Sequence, residues 1–349
     1  MASFNEQALA AKAQLTRRFR RQGVSIAILS SVLYGMFTAF MTLAMSIGVW
    51  LTFKDDPRLS SFTQVYLIGA LGAGVLNFCS AAWAFLFLAI KGKLGDFWRS
   101  LISKPGGIVF LVALAGGPLA STFYVLGLQT AGSIIVPISA LCTAFGALFG
   151  HFLLKQYLTV QKSIGVLICL AASVLIGSTS LSADAPPNLL LGMGFGLLAA
   201  LAWGIEGCIG GYASALIDSD ISITIRQLTA ALGTMGILVP IFAIIGSAPL
   251  GSMLAGICLD GQSMLAFAVA SFCAYLTYLL WYKGNAMCGT ALGMACNGMF
   301  SFWGPFCCWL ILGVCFGLEG YDLPFVVWIG AVLMVAGIFV IAVQRKEKA

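Results

Sequence analysis

The sequence predicts an all-α integral membrane protein of ten transmembrane helices arranged as two inverted five-helix repeats. Three observations carry this reading. Of the 349 residues, 60% are hydrophobic and 9% are charged, with a mean hydropathy of +1.02. A soluble domain carries roughly 25% charged residues, so no stretch is left for a soluble catalytic domain. Apolar runs of about 20 residues recur along the chain, each long enough to cross ~30 Å of hydrocarbon. Finally, short segments of the first half return in the second half in the same order. The organisation expected is a basic cytoplasmic N-terminal arm (1–22), a first repeat (23–182), a second repeat (183–343) and a cytoplasmic tail (344–349).

The arm carries Lys12, Arg17, Arg18, Arg20 and Arg21, a pattern suited to an interfacial helix on anionic lipid. The run after it is longer than a signal-peptide core and lacks a small-residue cleavage site, so it reads as a retained span. The ten runs are Val24–Leu51, Thr63–Ile90, Gly107–Leu128, Ala131–Leu154, Gln161–Ser180, Leu189–Leu216, Ile223–Ser247, Gln262–Tyr282, Cys288–Cys315 and Tyr321–Val343. The longest need tilt. Between the third and fourth, only Gln129 and Thr130 are left for a turn.

Orientation follows from the 18 Lys and Arg. With the N-terminus inside, only Lys54 and Arg58 fall outside. The arm, Lys91, Lys93, Arg99, Lys104, Lys155, Lys162, Arg226, Lys283 and the basic tail all fall inside, as the positive-inside rule requires. Both termini are thus expected in the cytoplasm, and the protein in a cell inner membrane.

The repeat rests on two alignments. SSVLYG (Ser30–Gly35) superposes on AALAWG (Ala199–Gly204), placing Tyr34 on Trp203. YVLGLQTAGS (Tyr124–Ser133) superposes on WYKGNAMCGT (Trp281–Thr290), matching Gly127 with Gly284 and Gly132 with Gly289. Gly165 and Gly330 fall alike in the last span of each half. Five spans per half is an odd number, so the halves are inverted, and inverted repeats hold their substrate near the midplane.

Within the sixth run stands an acid, Glu206, three residues after Trp203 and flanked by Gly204, Gly207, Gly210 and Gly211. An ionised carboxylate near the bilayer centre costs about 2.5–3.5 kcal/mol on insertion scales, which makes it a functional candidate. It can neutralise a cationic substrate, carry a coupling proton, or be a structural acid with a polar partner. Arg226 is the basic residue within reach, although Asp218 and Asp220 nearby favour a local ion pair at the cytoplasmic end.

Tyr34, Trp203, Tyr278 and Trp303 lie near the middle of their spans, with Tyr275 a turn from Tyr278. Aromatic faces bind a quaternary ammonium by cation–π attraction, on the order of 2 kcal/mol each when desolvated. Many of these rings must also simply pack. Trp50, Trp98, Trp281, Tyr282, Tyr321 and Trp328 sit nearer span ends and read as interfacial anchors, with Trp281 also a candidate for the cavity wall. Asn297 is either an interhelical hydrogen bond or a contact to a substrate hydroxyl. Pro118 and Pro137, with Gly204 and Gly207, are candidate hinges; ordinary membrane-helix proline is the other reading. Gly-x-x-x-Gly pairs at 146/150, 192/196 and 207/211 permit close packing and leave a homodimer open.

The eleven Cys show no CxxC pair and read as packing residues. A single histidine, His151, excludes a His-cluster metal site, and no phosphate-binding glycine loop is present. No enzyme chemistry, metal, cofactor or nucleic-acid partner is expected; the partners are the bilayer and a small-molecule substrate.

The five-plus-five helices, the Tyr-Gly or Trp-Gly pair early in each half, and the tight turns resemble the drug/metabolite transporter superfamily, of EamA type, over about residues 24–343. WGIEGCIGGYA (Trp203–Ala213), DSDISITIRQ (Asp218–Gln227) and WYKGNAMCGTALGMACN (Trp281–Asn297) resemble its bacterial Lic-type choline-uptake branch. The long arm and the cysteines Cys296, Cys307, Cys308 and Cys315 depart from that branch. The resemblance implies a secondary transporter that moves a small organic cation such as choline by alternating access. An exporter of amino acids or other metabolites on the same scaffold is the alternative. A receptor or assembly factor is the alternative of another class, with a dry, filled centre at Glu206 as its signature.

Overall fold

The computed structural model describes residues 4–155, 159–178, 188–210, 216–288 and 290–342. Ser180, Gly211, Gly289, the expected repeat boundary at 182–183 and the tail 344–349 lie outside the described residues. Within them the chain is helical and contains no strand. Seven helices are long and apolar enough to span a membrane: Arg18–Ala44, Thr63–Ile90, Lys104–Ser139, Leu189–Gly210, Ser219–Ile245, Gly261–Cys288 and Gly293–Cys315. Four shorter apolar helices accompany them, at Cys142–Leu153, Val160–Ile176, Leu250–Leu259 and Phe325–Ile341. Three of these four lie on the fourth, fifth and tenth expected runs.

In chain order the elements are α1 (Phe4–Ala44), α2 (Ile68–Ile90), α3 (Lys104–Leu114), α4 (Ala120–Ala131), α5 (Ile135–Ser139), α6 (Cys142–Leu154) and α7 (Val160–Gly177). The second half has α8 (Leu189–Ile205), α9 (Ser219–Gly233), α10 (Val239–Ile245), α11 (Leu250–Leu259), α12 (Gly261–Cys288), α13 (Thr290–Asn297), α14 (Phe300–Cys307) and α15 (Phe325–Ala342). Local chemistry sets the starts. Ser103 caps α3 by accepting from the Gly106 N–H, with Pro105 in the first turn, where proline's missing N–H costs nothing. Thr159 caps α7 through the Lys162 N–H, and Asp218 caps α9 through the Asp220 N–H. The expected turn at Gln129–Thr130 falls slightly later. Helix α4 runs to Ala131, and the chain redirects at Gly132, whose φ of 66° suits glycine.

In a bilayer, helices gain little by hiding apolar surface from each other, so close packing of small residues holds them. Helix α1 lies along α12, α8 along α4, α2 along α9, and α7 along α15. Side chains at the contacts would not fit: a Cβ on Gly23 would press on Met287 and Cys288, and one on Gly284 on Ala27. Gly192 meets Thr130 and Ala131 in the same way, and Gly165 and Gly330 meet Ile341 and Ile176. The glycines at 146, 192, 196 and 207 therefore serve contacts inside the chain. Ile108, Leu111, Val174, Ile237, Ile244 and Val332 point outward, an apolar belt suited to lipid tails.

The two ends differ in chemistry. At one, Lys91 and Lys93 after α2 pair with Asp220 and Asp218 at 2.6 and 2.9 Å. The Asp218 carboxylate raises the Lys93 ammonium above its usual range. At the other, the Asp260 carboxylate accepts from the Val49 N–H at 2.7 Å and so ties α12 to the short helix Val49–Asp55. Trp50 in that helix is fully buried against Phe267, a correction to its reading as an interfacial anchor. Trp98, 61% exposed, keeps the surface position expected of one.

Candidate functional site

Two wide π turns create the centre of the molecule. Helix α3 gives way to one at Ala115–Leu119, which contains Pro118. In the widened turn the Ala120 N–H goes to the Ala115 and Gly117 carbonyls, and the Gly116 carbonyl is turned to side-chain donors. It accepts from Trp203 Nε1 at 3.0 Å and from Arg226 Nη2 at 3.0 Å. Helix α8 gives way to the other at Glu206–Gly210. Such single-turn widenings inside helices are frequent at functional sites. Gly116 faces Glu206 so closely that any Cβ would collide with the carboxylate.

Glu206 and Arg226 are both fully buried. Arg226 Nε donates to Glu206 Oε1 at 2.9 Å, and Nη2 lies 3.5 Å from Oε2. The Tyr282 hydroxyl donates to the same Oε1 at 3.1 Å. Arg226 Nη1 donates to Gln227 Oε1 at 2.6 Å, and Gln227 Nε2 passes the chain on to Ser80 Oγ. The guanidinium carbon stands 3.5 Å from the centre of the Tyr278 ring. Glu206 thus has a full partner set, as a buried charge requires.

This overturns the expected local pairing of Arg226 with Asp218 and Asp220. Lys91 and Lys93 take those carboxylates instead. Helix α9 begins at Ser219, so Arg226 sits about 10 Å deeper than its first residue. Arg226 therefore also drops out of the positive-inside argument, as a core charge rather than a cytoplasmic one.

Tyr34 and Trp203, matched in the repeat, do come together, with centroids 6.1 Å apart. Tyr34 also stacks on Phe300 at 4.1 Å and meets Tyr124 edge-on at 5.5 Å. Tyr124 lies 5.3 Å from Trp203, and its hydroxyl is 2.6 Å from Thr38 Oγ1. Trp281 is buried, with its ring 5.3 Å from Tyr282 and 6.4 Å from Tyr278, so it lines the centre and does not anchor at an interface. Tyr282 needs the same correction. Both follow from α12 running on to Cys288, six residues past the expected end of that span.

Other expected members lie elsewhere. Tyr275 stacks on Phe87 of α2 at 5.5 Å. Trp303 packs among Phe302 and Phe306. Asn297 donates to Ser30 Oγ at 2.7 Å, the interhelical hydrogen bond of its structural reading. Pro118 and Gly204 border the site, Pro118 packing on Gly233 and Gly204 on Phe145. Gly207 faces Met294 and Trp281. Pro137 is buried within α5.

A cavity of about 10 Å³, room for about one water, lies among Phe37, Asn77, Tyr124, Trp203 and Tyr278. Glu206 does not line this cavity; Arg226, Tyr282 and Gly116 close around its carboxylate. A vestibule of about 240 Å³ opens at the Lys54 end, lined by Met41, Met45, Gln129 and Tyr321. Val125 lines both spaces, so the wall between vestibule and aromatic cluster is thin.

No protein-family model matches the chain, and no curated protein does either. Among solved structures, one described only as "Crystal structure of protein" superposes on 92% of this chain and 96% of its own, with a TM-score of 0.52 and 18% identity. That likeness shows a shared fold over nearly the whole length.

Proposed function

We propose that this membrane protein is a secondary-active transporter of the drug/metabolite transporter superfamily, EamA type, seated in a cell inner membrane. Ten crossing helices in two inverted five-helix repeats would let the halves rock around the centre by alternating access. The packing supports this symmetry. Exchanging the halves turns the α1–α12 contact into α8–α4, and α1–α14 into α8–α6, while α2–α9 and α7–α15 map onto themselves. The filled centre then belongs to an occluded carrier. A filled centre is also the signature of a receptor or assembly factor; uptake of labelled choline by proteoliposomes is expected of the carrier, and binding without uptake would establish that reading instead.

The cargo proposed is a small organic cation such as choline, and one observation carries that choice. Arg226 already places a cation against the Tyr278 face and the Glu206 carboxylate, the two contacts a quaternary ammonium needs. Arg226 is on this reading a tethered stand-in that incoming substrate displaces. A second reading has its own support: the Glu206–Arg226 pair sums to zero charge, which suits a zwitterion such as an amino acid, taken by both partners.

Binding of radiolabelled choline to the purified protein tests both. Wild type is expected to bind saturably, and Glu206→Gln and Trp203→Ala, if still monodisperse, to lose binding. Removing the internal competitor with Arg226→Gln should tighten choline binding roughly tenfold or more. Loss of binding in Arg226→Gln together with binding of amino acids by wild type establishes the zwitterion reading instead.

A further inference from the structure

Away from the centre, a pocket of about 810 Å³ opens at the end where α1 and α12 meet. It is lined by Arg18, Arg21 and Lys283, with Gln22, Ser25, Ile26 and Met287 completing the wall. Among the described residues no carboxylate lines it. Asp218 and Asp220 are engaged with Lys93 and Lys91. The two helices are drawn together just inside, where Gly23 packs on Met287 and Cys288 and Gly284 on Ala27. Arg18 and Arg21, before that contact on α1, and Lys283, alongside it on α12, line the cleft.

The position along the helices matters as much as the charge. The apolar span of the first helix begins at Arg18, and Lys283 lies in the last turns of α12. Ile26 and Met287 continue the apolar surface into the pocket. A cleft that sets Arg18, Arg21 and Lys283 beside the apolar Ile26 and Met287 at the end of two membrane helices matches one ligand class: an amphiphile with an anionic phosphate head and acyl chains. Basic pockets between membrane helices bind such headgroups, and long basic side chains reach from apolar surroundings to a polar head.

We propose that this pocket is a binding site for the phosphate headgroup of an anionic phospholipid from the surrounding membrane. The site is independent of the cargo and of whether the protein transports at all.

The test is native mass spectrometry and thermal unfolding of the full-length protein in detergent, titrated with phosphatidylglycerol, phosphatidylcholine or inorganic phosphate. Wild type is expected to retain phosphatidylglycerol and to melt higher with it, phosphatidylcholine doing neither. The Arg18→Gln, Arg21→Gln, Lys283→Gln variant should weaken that binding roughly a hundredfold. The charge-keeping Arg18→Lys, Arg21→Lys, Lys283→Arg variant should retain most of it, which separates lost charge from failed folding. Arg99→Gln with Lys104→Gln removes charge from the same end outside the pocket. Equal loss in that control, or no preference for phosphatidylglycerol, would overturn the site. Equal stabilisation by inorganic phosphate would identify a free anion and overturn the lipid assignment.

Discussion

At the scale of single residues, the Glu206–Arg226 pair is the costliest thing in the molecule to disturb. Both side chains are wholly buried, and removing one partner of a buried pair strands the other charge at a cost of about 3–5 kcal/mol. Glu206→Gln and Arg226→Met are each expected to destabilise by about that much, and the double variant by far less than their sum. Chemical unfolding in micelles gives the cycle; additive losses would show that the two residues are not coupled. The sequence exposed half of this pair. A carboxylate in an apolar run announces itself by what it costs there. Arg226, in contrast, lay close along the chain to two aspartates. Positions 220 and 226 are six residues apart on a helix, roughly 240° around its axis, so they face different ways. Two lysines at the end of another helix were free to take the acids.

At the scale of elements, what was legible was apolar length, and what was hidden was where helices begin and end. Helix α9 starts four residues before its apolar run, and α12 continues six past its own, so Arg226 and Tyr282 became central residues. The π turn at Ala115–Leu119 had a visible sign in Pro118, but which carbonyl it would turn toward Trp203 and Arg226 depends on packing and not on the local sequence. The Asp260 clamp at the far end is likewise a tertiary feature, 211 residues separating donor and acceptor. The Val49 N–H holds the Asp260 carboxyl below its ordinary range. A depressed folded-state pKa adds stability that is present above the unfolded value and is lost as pH falls through the folded one. Melting temperature should therefore drop on acidification between about pH 5 and pH 2. Asp260→Asn should flatten that part of the profile, and an unchanged slope would remove the clamp from the account.

At the scale of the whole molecule, membrane character follows from composition alone, and a solved chain with a similar backbone matches it nearly end to end. Orientation remains a matter of charge. Arg58 precedes the Thr63–Ile90 span and Arg99 follows it, their side chains 87% and 82% exposed. In a background with exposed Cys258 and Cys315 replaced, Arg58→Cys should react with a membrane-impermeant maleimide in intact cells. Arg99→Cys should react only after permeabilisation; the reverse pattern would invert the topology. A proton wire across a bilayer needs an unbroken file of hydrogen-bonded waters, and the space beside Trp203 and Tyr278 holds about one. This space cannot hold such a file in the conformation described, and any proton passing here would have to use the side-chain chain Tyr282–Glu206–Arg226–Gln227–Ser80.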